Sequence, residues 1–313
     1  MTPDRSRVTG VRLQSPHDPE QEQVLEADLV VDTMGRGSRS PRWLTDLGYE
    51  RVEEQRLTVD VHYVTLLFRR DPADLGGCQN VLVDIPPDAT RGGVALAIED
   101  GRWLVTLIGM LGERPPTDLD GFVEYARSLS VPDLHDIVRA AEPVSEARQR
   151  AFPAAMWRRF DRLRRLPARL VVSGDAVCSF DPRFGQGMTV ALIEALEMGP
   201  VLDKGGLDDA GSRLLSAARW AVQDAWDLAS GSALANPRVD GPRPLSWRAT
   251  NAYLQRLLPV AHRDPVVGAA FVRVIAMLAR PTELMHPRIL TRVLAGERRP
   301  RATAPAHPTP AQM

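Results

Sequence analysis

The sequence predicts an α/β fold: a small parallel sheet, interrupted by an α+β insert and followed by a helical region. Three observations predict it. Ala27–Asp32 and Arg169–Ser173 are short apolar runs, each leading into a glycine-bearing turn, as buried parallel strands do. Between them, Leu57–Arg69 and the segments after it alternate apolar and polar residues, the period of an antiparallel sheet with two unlike faces. From residue 208 onward the apolar spacing is helical.

In chain order, Arg7–Leu13 alternates and reads as a strand, with a polar loop to Glu26. Ala27–Asp32 is the first buried strand and ends in the turn Met34-Gly-Arg-Gly-Ser38. Pro41–Gly48 reads as a short helix with proline early and glycine at its end. Leu57–Arg69 and Asn80–Ile85 are strands, and Gly93–Ile98 and Arg102–Gly109 flank Glu99-Asp100-Gly101, a hairpin signal. Helical patterns follow at Asp118–Leu129 and Pro132–Ala141, then a strand at Val144–Phe152. Met156–Leu166 reads as a basic helix carrying Trp157, Phe160 and Leu163 on one stripe, its arginines forming a solvated face. Arg169–Ser173 is the second buried strand, Gly174–Gly187 a loop and Met188–Leu202 an apolar helix. Helices are expected at about 208–229, 244–260, 264–280 and 287–295. Residues 1–49 and 151–207 therefore form one discontinuous domain. Residues 50–150 are the insert, 208–296 the helical region, and 297–313 a disordered tail rich in proline and alanine.

Composition narrows the function. The 313 residues are 44% hydrophobic and 25% charged, with a formal net charge of −1, so no global field draws the chain to nucleic acid or an anionic membrane. The longest apolar run, Val266–Ala279, contains Arg273 and is too short to span a bilayer; the start of the chain is no signal peptide, and a cytoplasmic protein is expected. Two cysteines, Cys78 and Cys178, make neither a disulfide scaffold nor a structural zinc site, and the six histidines form no metal-binding cluster. Lys204 is the single lysine and sits at a helix end, which argues against Schiff-base and P-loop chemistry. No Gly-x-Ser-x-Gly elbow is present.

The informative stretch is Leu170–Thr189. A buried strand delivers Asp175 at its carboxyl end, where open α/β sheets bind ligands. Pro182 stiffens the loop, Gly185 and Gly187 let backbone approach a ligand, and the helix beginning near Met188 points amides at it. A carboxylate accepts from hydroxyls, so the pattern points to a phosphate-plus-polyol ligand; the alternative is a strand–loop–helix whose Asp is satisfied internally. Cys178 reads as a small buried apolar residue.

Gly174-Asp-Ala…Pro182…Gly185-Gln-Gly-Met188 resembles the second flavin-binding motif of FAD-dependent monooxygenases, the aromatic hydroxylases and the polyether- and squalene-type epoxidases. Ala27–Ser38 is similar to the middle motif of that family, and the order of motifs and the intervening insert match. The resemblance implies an incomplete FAD-binding, Rossmann-like domain with an inserted substrate domain. It implies a flavin hydroperoxide that hydroxylates or epoxidises a small or medium apolar aromatic or alkene substrate, with O2 as oxidant and NADPH or NADH as reductant. Asp175 would bond the ribityl chain, with Gly174, Pro182, Gly185, Gln186, Gly187 and Met188 around the ring and pyrophosphate and Gly35 and Arg36 nearby; no side chain is assigned a catalytic role, and Asp181 in the same loop has none. Cys178 stands where relatives often have His, Thr189 where many have Asn, and Met34 where Asp or Thr is common. The family opens with a Gly-x-Gly-x-x-Gly unit, and this sequence contains no such motif; Gly10 is the one glycine before Ala27. The chain is thus expected to be the C-terminal two-thirds of a family member. The alternatives are a non-catalytic remnant, a subunit that needs a separately encoded N-terminal half, and a flavin reductase of geranylgeranyl-reductase type.

Overall fold

A computed structural model describes residues 1–15, 18 and 21–296. The tail expected at 297–313 lies outside the described residues. The chain divides into two compact units, Met1–Pro242 and Arg243–Met313.

The first unit begins with a hairpin, β1 (Gly10–Gln14) and β2 (Glu22–Glu26), paired antiparallel. The sequence predicts loop where β2 lies. Every residue of β2 is exposed, so no burial alternation marks it as a strand. β3 (Val30–Asp32) leads through a single 3-10 turn at Gly35–Gly37 to α1 (Ser40–Asp46), with proline in its first turn.

Next come β4 (Glu54–Arg69), β5 (Asn80–Val83), β6 (Arg91–Ile98) and β7 (Arg102–Gly109), then α2 (Leu119–Arg127), α3 (Asp133–Ala140) and β8 (Arg148–Arg158). After β8 the chain forms β9 (Leu170–Val172), β10 (Cys178–Ser179) and α4 (Gly187–Gly205), followed by α5 (Ala210–Ala217) and α6 (Arg219–Ala235). β10, β8, β4, β7, β6 and β5 make one antiparallel sheet in that order. The β6–β7 turn has positive φ at both Asp100 and Gly101, the backbone that a tight hairpin requires.

The sheet's two faces differ. Val64, Leu66 and Phe68 of β4, Val83, Ala95, and Trp103, Val105 and Leu107 of β7 bury against Phe122, Tyr125, Leu134 and Val138 of α2 and α3. The alternate residues of the same strands make the opposite face: Tyr63, Thr65 and Leu67 stand across from Ile108, Thr106 and Leu104. A bulge between Thr58 and Val61, with φ 41° at Asp60, offsets β4 from β8 opposite Pro153, which has no N–H for the ladder.

Met156–Leu166 is not a helix. Met156–Arg158 end β8, and Phe160–Arg162 are a 3-10 turn. Ladder pairing of Ala154–Arg158 with Glu54–Thr58 overrides the helical spacing. Nor are all its arginines solvated: Arg158 and Arg159 are buried, while Arg162 and Arg164 pair on the surface with Glu53 and Glu50.

β3 and β9 pair in parallel, with Val30 opposite Leu170 and Asp32 opposite Val172. β9 is buried throughout, and Val171 packs with Val201 of α4 and Ala210 and Leu214 of α5. α5 comes so close that a Cβ at Gly211 would stand 2.1 Å from the Leu170 carbonyl oxygen. The outer face of α4 is apolar and open: Met188, Leu192 and Leu196, four residues apart, are 79%, 65% and 76% exposed. Val31 of β3 is also exposed.

The second unit holds α7 (Leu245–Ala261), α8 (Pro265–Ile275) and α9 (Pro287–Gly296), packed through Leu257, Val267, Val274, Ile289 and Val293. Asp264 caps α8 by accepting from the amides of Val266 and Val267. Among the described residues, no helix is long and apolar enough to cross a membrane.

Candidate functional site

The parallel pair β3–β9 delivers two turns to the same end of the sheet. Asp32, buried at the end of β3, shapes the first: it accepts from the Met34 amide at 2.9 Å, from Ser38 Oγ at 2.5 Å and from Ser40 Oγ. The turn it organises has Gly35 at φ 64°. β9 ends in the second turn, with Gly174 at φ 65° and Asp175 next to it.

Around Asp175 three segments meet. A Cβ on Gly35 would lie 3.7 Å from Asp175 Cβ, and a Cβ on Gly187 would lie 3.7 Å from Asp175 Oδ1. The first residue of α4 thus touches the carboxylate, and α4 has no side-chain cap at that end. Asp175 is exposed and accepts from Ser179 Oγ at 3.1 Å. Arg36 points inward: its guanidinium donates to Ser179 Oγ at 2.9 Å and to the Ala154 carbonyl at 2.8 Å, and lies over the Phe152 ring. Burial pulls its pKa below the ordinary value, Asp175 opposes this, and Arg56 and Arg158 add to it.

The remaining predicted residues lie along the loop into α4. Pro182 opens a 3-10 turn and is exposed; Gly185 closes it at φ 65°, with open space where a side chain would be, so its glycine serves backbone shape. Gln186 is buried at the helix start, and Met188 faces outward. Asp181 is 1% exposed and accepts two bonds from the Arg183 guanidinium, at 2.9 and 2.6 Å, and one from its amide. Tyr63 of β4 sits beside that pair, and burial together with the Asp181 charge pushes its phenol far above the ordinary range.

Sequence reasoning missed the residues that hold the turns. Arg158 donates to three backbone carbonyls, Ala176 at 3.1 Å, Gly35 at 3.4 Å and Arg36 at 2.8 Å, and to Glu54 at 3.2 Å. One planar fork thereby ties both turns to the end of β8. Its sequence signal was present, since a strand that runs on to Arg158 needs a partner for that charge. Ser179, which links Arg36 to Asp175, carries no such signal. Burial pushes the Cys178 thiol well up, so it stays a neutral packing residue.

An exposed carboxylate, two neighbouring positions without Cβ and an uncapped helix start suit a ligand that offers hydroxyls beside an anionic group. Among the described residues no cluster of His, Cys, Asp and Glu could hold a metal ion.

No family model matches the chain. The chain is 34% identical over 281 residues to Protein Rv3254 of Mycobacterium tuberculosis, an alignment covering 88% of this chain and 59% of that protein. It therefore spans less than two thirds of that relative's length. The structure superposes on flavin-dependent brominase Bmp2 with a TM-score of 0.56 at 15% identity, over 93% of this chain and 67% of the brominase. On HpxO of Klebsiella pneumoniae, crystallised with FAD and uric acid, the TM-score is 0.52 at 16% identity, over 92% of this chain and 64% of HpxO. The fold is that of flavin-dependent oxygenases and halogenases.

Proposed function

We propose that the chain is the ring- and substrate-side part of an FAD-dependent monooxygenase, a hydroxylase or epoxidase acting on a small or medium apolar aromatic or alkene substrate. The observation that carries this reading is the meeting of the Gly35 turn, Asp175 and the start of α4 in a fold shared with flavoenzymes. These residues fit the polyol half of FAD. Asp175 would accept from the ribityl hydroxyls, while Gly35 and Gly187 leave room for the chain and Gly174, Gly185, Gln186 and Met188 border it. Pro182 stiffens the loop, and Arg36 is an inner support rather than a ligand. FAD, when bound, supplies the redox chemistry, taking electrons from NADH or NADPH and activating O2. The protein's own part is to bind, orient and exclude water.

The substrate reading draws on the second face of the large sheet. Tyr63, Thr65, Leu67, Leu104, Thr106 and Ile108 form a mainly apolar surface that begins next to the Asp181–Arg183 pair. The Thr65 and Thr106 hydroxyls at its centre satisfy each other at 2.7 Å. An apolar substrate fits such a wall.

A second reading has its own observation. The open edge of β3 and the stripe Met188–Leu192–Leu196 on α4 are what a parallel sheet shows where a further strand and helix are to pack. The partner this calls for is a nucleotide-binding unit, either joined to the chain or separately encoded, and the chain alone would then be a subunit without activity. Titration with FAD, followed by flavin fluorescence, tests both. Tight stoichiometric uptake by this chain removes the need for a partner. Uptake only after addition of a nucleotide-binding half supports the split form. No uptake in either case overturns the flavin reading.

A further inference from the structure

Glu194 lies mid-helix in α4 and is 3% exposed. Its surroundings are largely apolar: Trp157, Val172, Val177, Leu214 and Val222 line the same small cavity, together with Asp161 and Arg219. Burial pushes its carboxyl above the ordinary range, and the nearby Asp175 charge pushes the same way. Against this, Glu194 Oε2 accepts from Ser173 Oγ at 2.6 Å and from the Gly174 amide at 2.5 Å. Two donors on one oxygen are the compensation a buried carboxylate needs, and both belong to the residues immediately before Asp175.

The placement has a geometric consequence. Glu194 follows Gly187 by about two helical turns, so both face β9 from the same side of α4. Gly187 meets the Asp175 side chain, and Glu194 grips the backbone behind it. Asp175 itself is held only lightly, through Ser179 at 3.1 Å. We infer that Glu194 is a positioning residue: by clamping Ser173 and Gly174 to α4 it fixes the left-handed Gly174 turn, and thereby the place of the Asp175 carboxylate over the start of the helix. The clamp itself stands on the geometry; its role in ligand binding rests on the flavin reading above.

The test uses the full chain and the variants Glu194→Ala, Glu194→Gln and Ser173→Ala. Amide hydrogen exchange is measured at Gly174–Ala176, with β7 and α2 as remote references, and each protein is titrated with FAD. Losing a charge-assisted bond to a turn amide should raise local opening about tenfold or more in Glu194→Ala, with the references unchanged. Glu194→Gln keeps an oxygen for both donors and should stay close to the wild type, whereas Ser173→Ala, which removes one of the two donors, should raise local exchange by a smaller but measurable factor of about threefold. Unchanged exchange at Gly174–Ala176 in Glu194→Ala, or equal acceleration there and in β7 and α2, overturns the clamp. If Glu194→Ala does not fold, Ser173→Ala decides: a local rise supports the clamp and none overturns it. FAD affinity separates the two ideas. A wild type that takes up no flavin, either alone or with a nucleotide-binding half added, defeats the flavin reading while exchange still judges the clamp. A wild type that binds flavin and a Glu194→Ala that binds it equally well defeat the positioning role alone.

Discussion

Two aspartates six residues apart should respond oppositely to alanine. Asp181 is 1% exposed and closes a two-bond ion pair with Arg183, whose side chain is 10% exposed. Its Oδ1 also caps the Arg183 amide. Asp181→Ala removes three bonds and leaves a guanidinium buried against Phe184 without a counter-charge. Breaking a buried pair from one side costs about 3–5 kcal/mol, and that is the expected loss. Asp175 is exposed and gains one bond, from Ser179, so Asp175→Ala should change stability by less than about 0.5 kcal/mol. Urea unfolding followed by circular dichroism reads both. With a slope near 3 kcal/mol/M, the Asp181 variant should unfold about 1–1.7 M earlier and the Asp175 variant at the wild-type midpoint. Equal shifts, or a larger one for Asp175, would refute the division of the loop into a buried strut and an open ligand. Flavin binding completes the contrast. In a form restored with a nucleotide-binding unit, Asp175→Ala should weaken the hold on FAD about ten- to hundredfold with the fold intact. Asp181→Ala is no inert control for that experiment, because it weakens the loop itself.

The chain by itself should bind FAD weakly, since on the split reading the pyrophosphate and adenosine contacts, worth roughly 1.5–3 kcal/mol each, come from the nucleotide-binding partner; a yellow, stoichiometrically loaded protein after purification contradicts this. Its α4 stripe and open β3 edge should drive self-association, read by light scattering, and Leu192→Glu with Leu196→Lys should reduce it; a monodisperse wild-type monomer is the opposing result. Gly211→Ala should push α5 off β9 and lower stability by about 1–3 kcal/mol, because the added methyl meets a backbone oxygen; an unchanged unfolding midpoint rejects that contact. Burial raises the Glu194 pKa in the folded state, so its contribution is fully favourable below its unfolded value of 4.5 and is lost as pH rises through the folded value. The stability of the wild type relative to Glu194→Gln should therefore fall as pH rises from acid to neutral, and a rising or flat difference contradicts the assignment.

Much of this architecture was legible in the residues because local pattern and tertiary role agree. The alternation of Leu57–Arg69 survives as β4, since one face meets a helical layer. Asp100-Gly101 forms its hairpin because both positions take positive φ. The failures occur where tertiary contacts set the outcome. β2 has no buried face, and the arginine run at 158–165 looked solvated because its partners, Glu54 and the turn carbonyls, are distant in sequence. Around Asp175, the glycines and the carboxylate could be named in advance from type and order. Ser179 and Glu194 could not, because their partners, the Arg36 and Asp175 side chains for Ser179 and the Ser173 hydroxyl and Gly174 amide for Glu194, are brought near only by the packing of β8, β9 and α4.

The reach of Arg158 bears on how such a protein can be recombined. Its strand belongs to the large sheet, yet its guanidinium ends on carbonyls of both turns at the parallel pair. A chimaera that exchanges the sheet for another protein's, with crossovers near residues 50 and 150, keeps Arg158 but removes Glu54, leaving the fork without its carboxylate. A second crossover after Arg158 transfers the fork as well and makes the turns depend on whatever the donor carries there. The sheet and the two turns are therefore not interchangeable modules: any change to the sheet is constrained at β8 by the shape of the turns at the parallel pair.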